Sequence, residues 1–335
     1  MRKVSFPFNL YLLAVVSACL TTLAALPLWR RWCLRTGLVD DPGHRKIHAH
    51  PVPLAGGLAV MTGLVLPAAG GVLLLAVMQQ TGFRAATAAL VPIGYGLSRR
   101  STELAVIFAG ALGMLFLGWL DDKHELRPRA KFAGQVLVAA LVAAGGVRIT
   151  LFVPSILFSY VVTILWMLTV INAFNFMDNM NGLCAGLGAI GAWYFAAIAA
   201  VDGQYLVALI AFLTLGALLG FLPYNFPNAR AFLGDAGSHL VGYLLAVLAI
   251  LPHFYSSRMP RPWAVLAPLL ILALPLADMA WVVVWRWRAG RPFYVGDTNH
   301  LSHRLVRWGL SPTRAVLLIW LAATAVGALA VFSRL

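Results

Sequence analysis

The chain alternates long apolar runs with short polar stretches. About 20 residues in a helix cross the hydrocarbon core of a bilayer. On that ruler the runs predict ten spans, over 8–29, 54–78, 103–120, 131–147, 156–177, 183–201, 204–222, 237–252, 263–285 and 313–332. The stretch 81–102 is read as room for a further partial or re-entrant element. An even count puts both termini on one side of the membrane. No internal repeat, low-complexity tract or second domain interrupts the series, so the expectation is an all-α, polytopic integral membrane protein forming a single domain over 1–335.

One segment breaks this pattern from within. Between Ile149 and Val201 the only charged residue is Asp178, and it lies in a polar cluster, Asn172-Ala-Phe-Asn175-Phe-Met-Asp178-Asn-Met-Asn181-Gly182. Amides and carboxylates left in hydrocarbon without partners cost several kcal/mol each. They must therefore face water, one another or a ligand.

Composition sharpens the membrane reading. Of 335 residues 61% are hydrophobic and 11% charged, and the mean hydropathy of +0.85 exceeds what a soluble domain of this length can bury. A net charge of +14 raises the question of nucleic acid, but the basic residues sit in short loops between apolar runs, where they meet lipid headgroups instead. Sixteen of the 25 Lys and Arg residues fall in one set of alternate loops, which makes that face cytoplasmic and the protein a multi-pass plasma (inner) membrane protein. Arg2 and Lys3 lie against the rule on the other side. Cys19, Cys33 and Cys184 have no CxxC spacing and read as small core residues. The apolar run after Lys3 continues to Trp29, as a retained first span does and a cleaved signal peptide does not.

The chemistry is as lopsided as the charge. Nine of the 11 acids and seven of the eight histidines fall on or near the cytoplasmic face. An alternating-access transporter keeps its ionisable groups near the midplane. The asymmetry favours an enzyme that meets a water-soluble substrate from the cytoplasm.

Four further motifs lie on that face. Asp40-Asp41-Pro-Gly-His-Arg45-Lys46 leads through Pro53-Leu-Ala-Gly56-Gly57 into the second span. Arg45 and Lys46 suit a polyanionic substrate, and the glycine pair would let backbone approach a ligand; the bland reading is an ordinary positively charged loop. Asp121 and Asp122 follow the third span, before Lys123, His124 and Lys131. Acids at a helix C-terminus oppose its macrodipole, a misfit that points to metal binding and proton acceptance in phosphoryl transfer. Phe232-Leu-Gly234-Asp235-Ala-Gly237-Ser238 opens the eighth span; alone it could be a capped turn, but with Asp121, Asp122 and Asn175 it offers a hard oxygen ligand suited to magnesium. His300, His303 and Arg304 in the longest cytoplasmic loop suit phosphate or sugar hydroxyls better than zinc, since no cysteine accompanies them. Asp278, inside the ninth span, is read equally as functional or as a structural contact near the headgroups, and Trp281, Trp285 and Trp287 as an interfacial belt.

In this order (PxxGG, Asp-Asp, the Asn172–Gly182 cluster, FxGDxGS and the His loop) the chain from about 30 to 315 resembles the polyprenyl-phosphate N-acetylhexosamine-1-phosphate transferase superfamily. That group includes the bacterial GlcNAc-1-phosphate transferases and the phospho-MurNAc-pentapeptide translocase. The resemblance implies attack of a polyprenyl phosphate on the β-phosphorus of a UDP-N-acetylhexosamine, releasing UMP and starting a lipid-linked cell-envelope glycan. It implies magnesium, with manganese as a substitute, on Asp235 and Asn175, with Lys131 on the pyrophosphate and Phe232 and Asn181 around uracil. Asp121 and Asp122 would position or deprotonate the lipid phosphate. Asn172, Asp178 on the site floor, Lys46, His300, His303 and Arg304 complete the substrate contacts.

Two departures stand out. Where bacterial members have a second acid this chain has Asn181, as does the eukaryotic GlcNAc branch, and Ser302 stands where many bacterial members have a third histidine. The His-x-x-His-Arg spacing is closer to the GlcNAc-type enzymes than to the pentapeptide translocase. The other readings are the pentapeptide transferase itself or a non-catalytic transporter or scaffold with the same fold. A homodimer is compatible with either.

Overall fold

The computed structural model describes residues 7–41, 50–80, 90–151, 153–252, 254 and 262–332. It is all-α apart from one two-residue ladder, β1 (Val39–Asp40) antiparallel to β2 (Val52–Pro53). The helices are α1 (Phe8–Thr36), α2 (Gly56–Gln80), α3 (Val91–Arg99), α4 (Ser101–His124), α5 (Pro128–Ala144), α6 (Ile156–Met177), α7 (Leu183–Val201) and α8 (Tyr205–Asn225). They continue with α9 (Gly234–Leu248), α10 (Ala267–Ile271) after a 3-10 turn at Pro262–Leu266, α11 (Ala273–Arg288), α12 (Leu301–Arg307) and α13 (Pro312–Phe332).

Every predicted span is occupied by helix. Among the described residues seven helices are long and apolar enough to cross a membrane, or eight when the bent pair formed by α10 and α11 is counted. α5 and α9, at 17 and 15 residues, are shorter. The short α3 occupies part of the stretch read as a partial element. Two boundaries shift in a way that matters. α4 runs four residues past 120, so Asp121 and Asp122 lie in its last turn rather than beyond it. The single straight span expected over 263–285 is instead two pieces bent by 73°. Pro275 has no N–H to give the carbonyl of Ile271 and its ring crowds that carbonyl, so the helix breaks at Leu272.

The bundle is organised around α9. Every residue from Ala236 to Leu248 is buried, including Ser238, His239 and Tyr243, because α4 and α6 flank it and α2 and α7 close the remaining sides. The Tyr243 hydroxyl donates to the Ile107 carbonyl at 2.8 Å and ties α9 to α4. Large exposed apolar side chains such as Leu12, Leu73, Leu137, Leu157 and Leu321 cover the outer helices, as expected where lipid replaces water.

Candidate active site

The N-terminal end of α9 is where the polar groups meet. The carbonyl of Leu233 and those before it feed a tight junction in which Gly56 N–H donates to Phe232 O at 2.9 Å and Gly57 N–H to Leu233 O at 3.3 Å. A Cβ on Gly57 would lie 2.6 Å from Gly237 N. These glycines therefore make room for the backbone at 232–237 and not for a ligand, which corrects the expectation for the pair. Phe232 is held by its own N–H on Pro53 O at 3.0 Å, with its side chain half-buried. Gly234 has φ +68°, and a Cβ there would meet Asp122 Oδ2 at 2.6 Å, so only glycine serves.

Asp122 accounts for that closeness. Its Oδ1 accepts from Asp235 N–H at 2.7 Å and its Oδ2 from Ala236 N–H at 3.0 Å. The carboxylate caps α9 from another helix. The acid that sits badly at the negative end of α4 thus sits at the positive end of α9. Both its oxygens are engaged there.

Asp121, on a different side of the same turn, faces outward into the site. Its Oδ1 accepts from Leu126 N–H at 2.9 Å and its Oδ2 lies 2.6 Å from Lys131 Nζ. The same ammonium is 3.2 Å from Asp235 Oδ1. Asn175, in the last turn of α6, donates its amide to Asp235 Oδ1 at 2.5 Å and to Ser238 Oγ at 2.9 Å. Four helices therefore bring polar side chains to one point: Asp121 from α4, Lys131 from α5, Asn175 from α6, and Asp235 and Ser238 from α9.

The resemblance implies a magnesium ion here. The donor chemistry fits: two carboxylates converge on a single cationic group, with the Asn175 carbonyl oxygen and the Ser238 hydroxyl beside them, all hard oxygens. Magnesium takes one or two protein carboxylates and completes its shell with water and phosphate. Among the described residues no three His, Cys, Asp or Glu side chains form a metal cluster.

Asp178 ends α6, beside this point. Burial, and then the negative charges of Asp235, Asp122 and Asp40, push its carboxyl up to about 8. Asn172 lies one layer deeper: its amide donates to Gln135 Oε1 and to Leu168 O, both at 2.8 Å. Gln135 Nε2 in turn sits 3.4 Å from His239 Nε2. Sequence reasoning missed Gln135, although it stands one helical turn from Lys131 on the same face of α5. Asn181 donates to Pro227 O at 3.0 Å and fastens the loop after α8.

A second cluster adjoins the first through the end of α6. His300 Nδ1 lies 2.7 Å from Asp278 Oδ2, and Leu301 N–H donates to Asp278 Oδ1 at 2.6 Å. The imidazole stands edge-on to Phe176, with ring centroids 5.7 Å apart. Ser302, 1% exposed, donates its hydroxyl to Asn179 Oδ1 at 2.7 Å. The serine where a histidine was expected is thus the peg that docks α12 on the Asn172–Gly182 segment. His303 is half-buried, 6.3 Å from His300 between ring centroids. Burial, followed by His300 and Arg307, holds its imidazole below the usual range. Arg304 stacks on Trp281 at 4.7 Å and Trp308 at 5.5 Å, so Trp281 does more than line a membrane interface.

Arg286 anchors the loop that carries this cluster. Its side chain is 2% exposed; Nε donates to Asp297 Oδ2 at 2.6 Å, Nη1 donates to Phe293 O, and the guanidinium lies 4.9 Å over the Phe176 ring. Burial alone would raise the Asp297 carboxyl, but the bonds from Arg286 and from Asn299 N–H outweigh it and hold it below the usual range. Arg286 read in sequence as one more orienting charge; its position eight residues after Asp278, on one helix face, was the available signal. Lys46 lies outside the described residues, as does Arg45.

The sequence model of glycosyl transferase family 4 matches residues 104–253, the stretch from α4 to just past α9. A Bacillus subtilis protein named probable undecaprenyl-phosphate N-acetylglucosaminyl 1-phosphate transferase is 31% identical, over 92% of this chain and 80% of the relative. A Mycobacterium tuberculosis protein named decaprenyl-phosphate N-acetylglucosaminephosphotransferase is 33% identical, over 96% and 82%. The Escherichia coli undecaprenyl-phosphate alpha-N-acetylglucosaminyl 1-phosphate transferase is 29% identical, over 95% and 83%.

Proposed function

Because the chain belongs to glycosyl transferase family 4, we propose that it transfers GlcNAc-1-phosphate from UDP-GlcNAc to undecaprenyl phosphate or a related polyprenyl phosphate. UMP leaves, and a lipid-linked cell-envelope glycan begins at the cytoplasmic face of the plasma membrane. One observation carries the assignment to this site: the Lys131 ammonium held between Asp121 and Asp235 at the capped end of a helix buried from Ala236 to Leu248. The relatives' names specify N-acetylglucosaminyl transfer, which favours this reading over pentapeptide transfer.

An oxygen of the lipid phosphate attacks the β-phosphorus, and the bond from that phosphorus to the bridging oxygen breaks with its electron pair leaving on UMP. No proton has to move. A phosphate monoester is already ionised near neutral pH (second pKa about 6), so positioning and charge neutralisation carry the barrier reduction. Lys131 is the chain's own cation at that point, and exchanging one carboxylate for a pyrophosphate oxygen keeps it paired. Asp121, with one oxygen fixed by Leu126 N–H, sets where Lys131 stands and faces the lipid phosphate. Asp122 shapes the site by holding α9 through the N–H groups of Asp235 and Ala236. Magnesium, or manganese in its place, held by Asp235 and the Asn175 oxygen, would neutralise the pyrophosphate charge. Phe232 and Asn181 flank the base, Asp178 forms the floor, and Lys46, His300, His303 and Arg304 face phosphate or sugar.

The test is UMP release by the purified protein in detergent with undecaprenyl phosphate and a panel of UDP-sugars, with and without magnesium. UDP-GlcNAc should be the working donor, and Asp235→Asn or Asp121→Asn should abolish the reaction. Full activity in both variants would sink the assignment.

A further inference from the structure

A histidine offered to a substrate has two ring nitrogens, and which of them carries the proton is set by the partner of the other. At His300 that partner is buried and built in. The Asp278 carboxylate is 5% exposed and both its oxygens are used: Oδ2 lies 2.7 Å from His300 Nδ1, where an ionised carboxylate can only accept, and Oδ1 takes the N–H of Leu301. Phe176 closes one edge of the ring.

The arrangement joins α11, the half of the bent span that follows the 73° break, to α12. Asp278 lies in the second turn of α11, and His300 is the residue that begins α12. One carboxylate caps the short helix and orients its first side chain. Arg286, two turns on along the same face of α11, fixes the intervening loop through Asp297 and Phe293. The imidazole has neither freedom to rotate nor freedom to exchange its Nδ1 partner.

We propose that Asp278 is a positioning residue for the transfer reaction. It keeps the proton of His300 on Nδ1 and presents Nε2, on the far side of the ring, to the sugar-phosphate donor. The proposal rests on the transferase function argued above for the part played by Nε2. The placement of the proton does not depend on that function.

Two measurements test it. In full-length protein with 15N-labelled histidine in detergent, above pH about 8 where an ordinary imidazole is neutral, the His300 signals are those lost in His300→Gln. They should report a proton on Nδ1, and Asp278→Leu should remove that preference. In the UMP assay, Asp278→Leu should lower kcat/KM by roughly 10- to 100-fold, the range seen when the orienting partner of a metal-bound histidine is removed. It should add less than about twofold in a His300→Gln background, since coupled residues are not additive. Asp278→Asn keeps an acceptor for Leu301 N–H and serves where the leucine variant does not fold. A wild-type His300 protonated on Nε2 overturns the proposal, as does an Asp278→Leu loss equally large with and without His300. A wild-type protein inactive on every donor would refute the transferase reading instead, while the position of the proton still decides the role of Asp278.

Discussion

Replacing Asp122 by asparagine removes one charge and one hydrogen-bond acceptor from the place where α4 meets the end of α9. In the native protein its two oxygens take the N–H groups of Asp235 and Ala236 at 2.7 and 3.0 Å. An amide can accept only one of them and turns an N–H2 toward the other. The loss is one charge-assisted bond, about 1.5–3 kcal/mol, together with the burial of an unpaired donor at Ala236, about 1–3 kcal/mol. The helix-end charge interaction adds roughly 0.3–2 kcal/mol. These contributions overlap, because the same N–H enters each, and about 3 kcal/mol is the expected total. Asp121→Asn is the comparison: Lys131 keeps Asp235 at 3.2 Å, and these two side chains are themselves 20% and 32% exposed. Thermal unfolding in detergent, followed by intrinsic fluorescence alongside UMP release, separates the pair. Both variants should lose activity, but Asp122→Asn should also unfold several degrees lower than Asp121→Asn. If Asp122→Asn unfolds at the wild-type temperature, the carboxylate is not what holds α9, and the division of labour between the two acids is wrong.

Three further outcomes are expected. Arg286→Met leaves Asp297 buried without its partner, a change that costs about 3–5 kcal/mol when a buried pair is broken; trypsin should then cut at Arg288 and Arg291 faster than in the wild type, and Arg286→Lys should only partly restore resistance because one ammonium cannot serve Asp297, Phe293 and the Phe176 ring together. His303, whose imidazole is held below its ordinary range, binds its proton more weakly folded than unfolded, so it lowers stability as pH falls through the ordinary histidine range near about 6.5. His303→Gln should flatten that acid-side decline in melting temperature and leave the curve above it unchanged. Asn181→Asp sets a carboxylate against the Pro227 carbonyl that the amide now binds at 3.0 Å; the Michaelis constant for the UDP-sugar should rise, and a fall would refute the anchoring role.

The spans and the polar segment at 172–182 were legible because apolar run length and the cost of buried polar groups are local properties of the chain. Helices α6 and α7 begin and end where the pattern places them. Pro275 was visible too, but its effect depends on the Ile271 carbonyl across one turn, and a count of apolar residues smooths over it. At the site, residue types foretold which groups matter and not what each one touches. Asp121 and Asp122 are neighbours in sequence, yet the helix turns them to different partners, one to Lys131 and one to the backbone of α9. Partners that lie 104 or 123 positions apart, such as Gln135 with His239 or Asn179 with Ser302, leave no spacing to read.

The burial of α9 on every side has a consequence for how such a protein diversifies. A rod enclosed by its neighbours along its length cannot slide or tilt to suit a different ligand, so Asp235 at its tip is a fixed tool. Variety must then be written in the jaws around it, the loops at 226–231 and 289–300, which are tied down in part by a handful of side-chain bonds. Exchanging those two loops between relatives with different sugar preferences is the graft this architecture would tolerate, and exchanging α9 is the one it would reject.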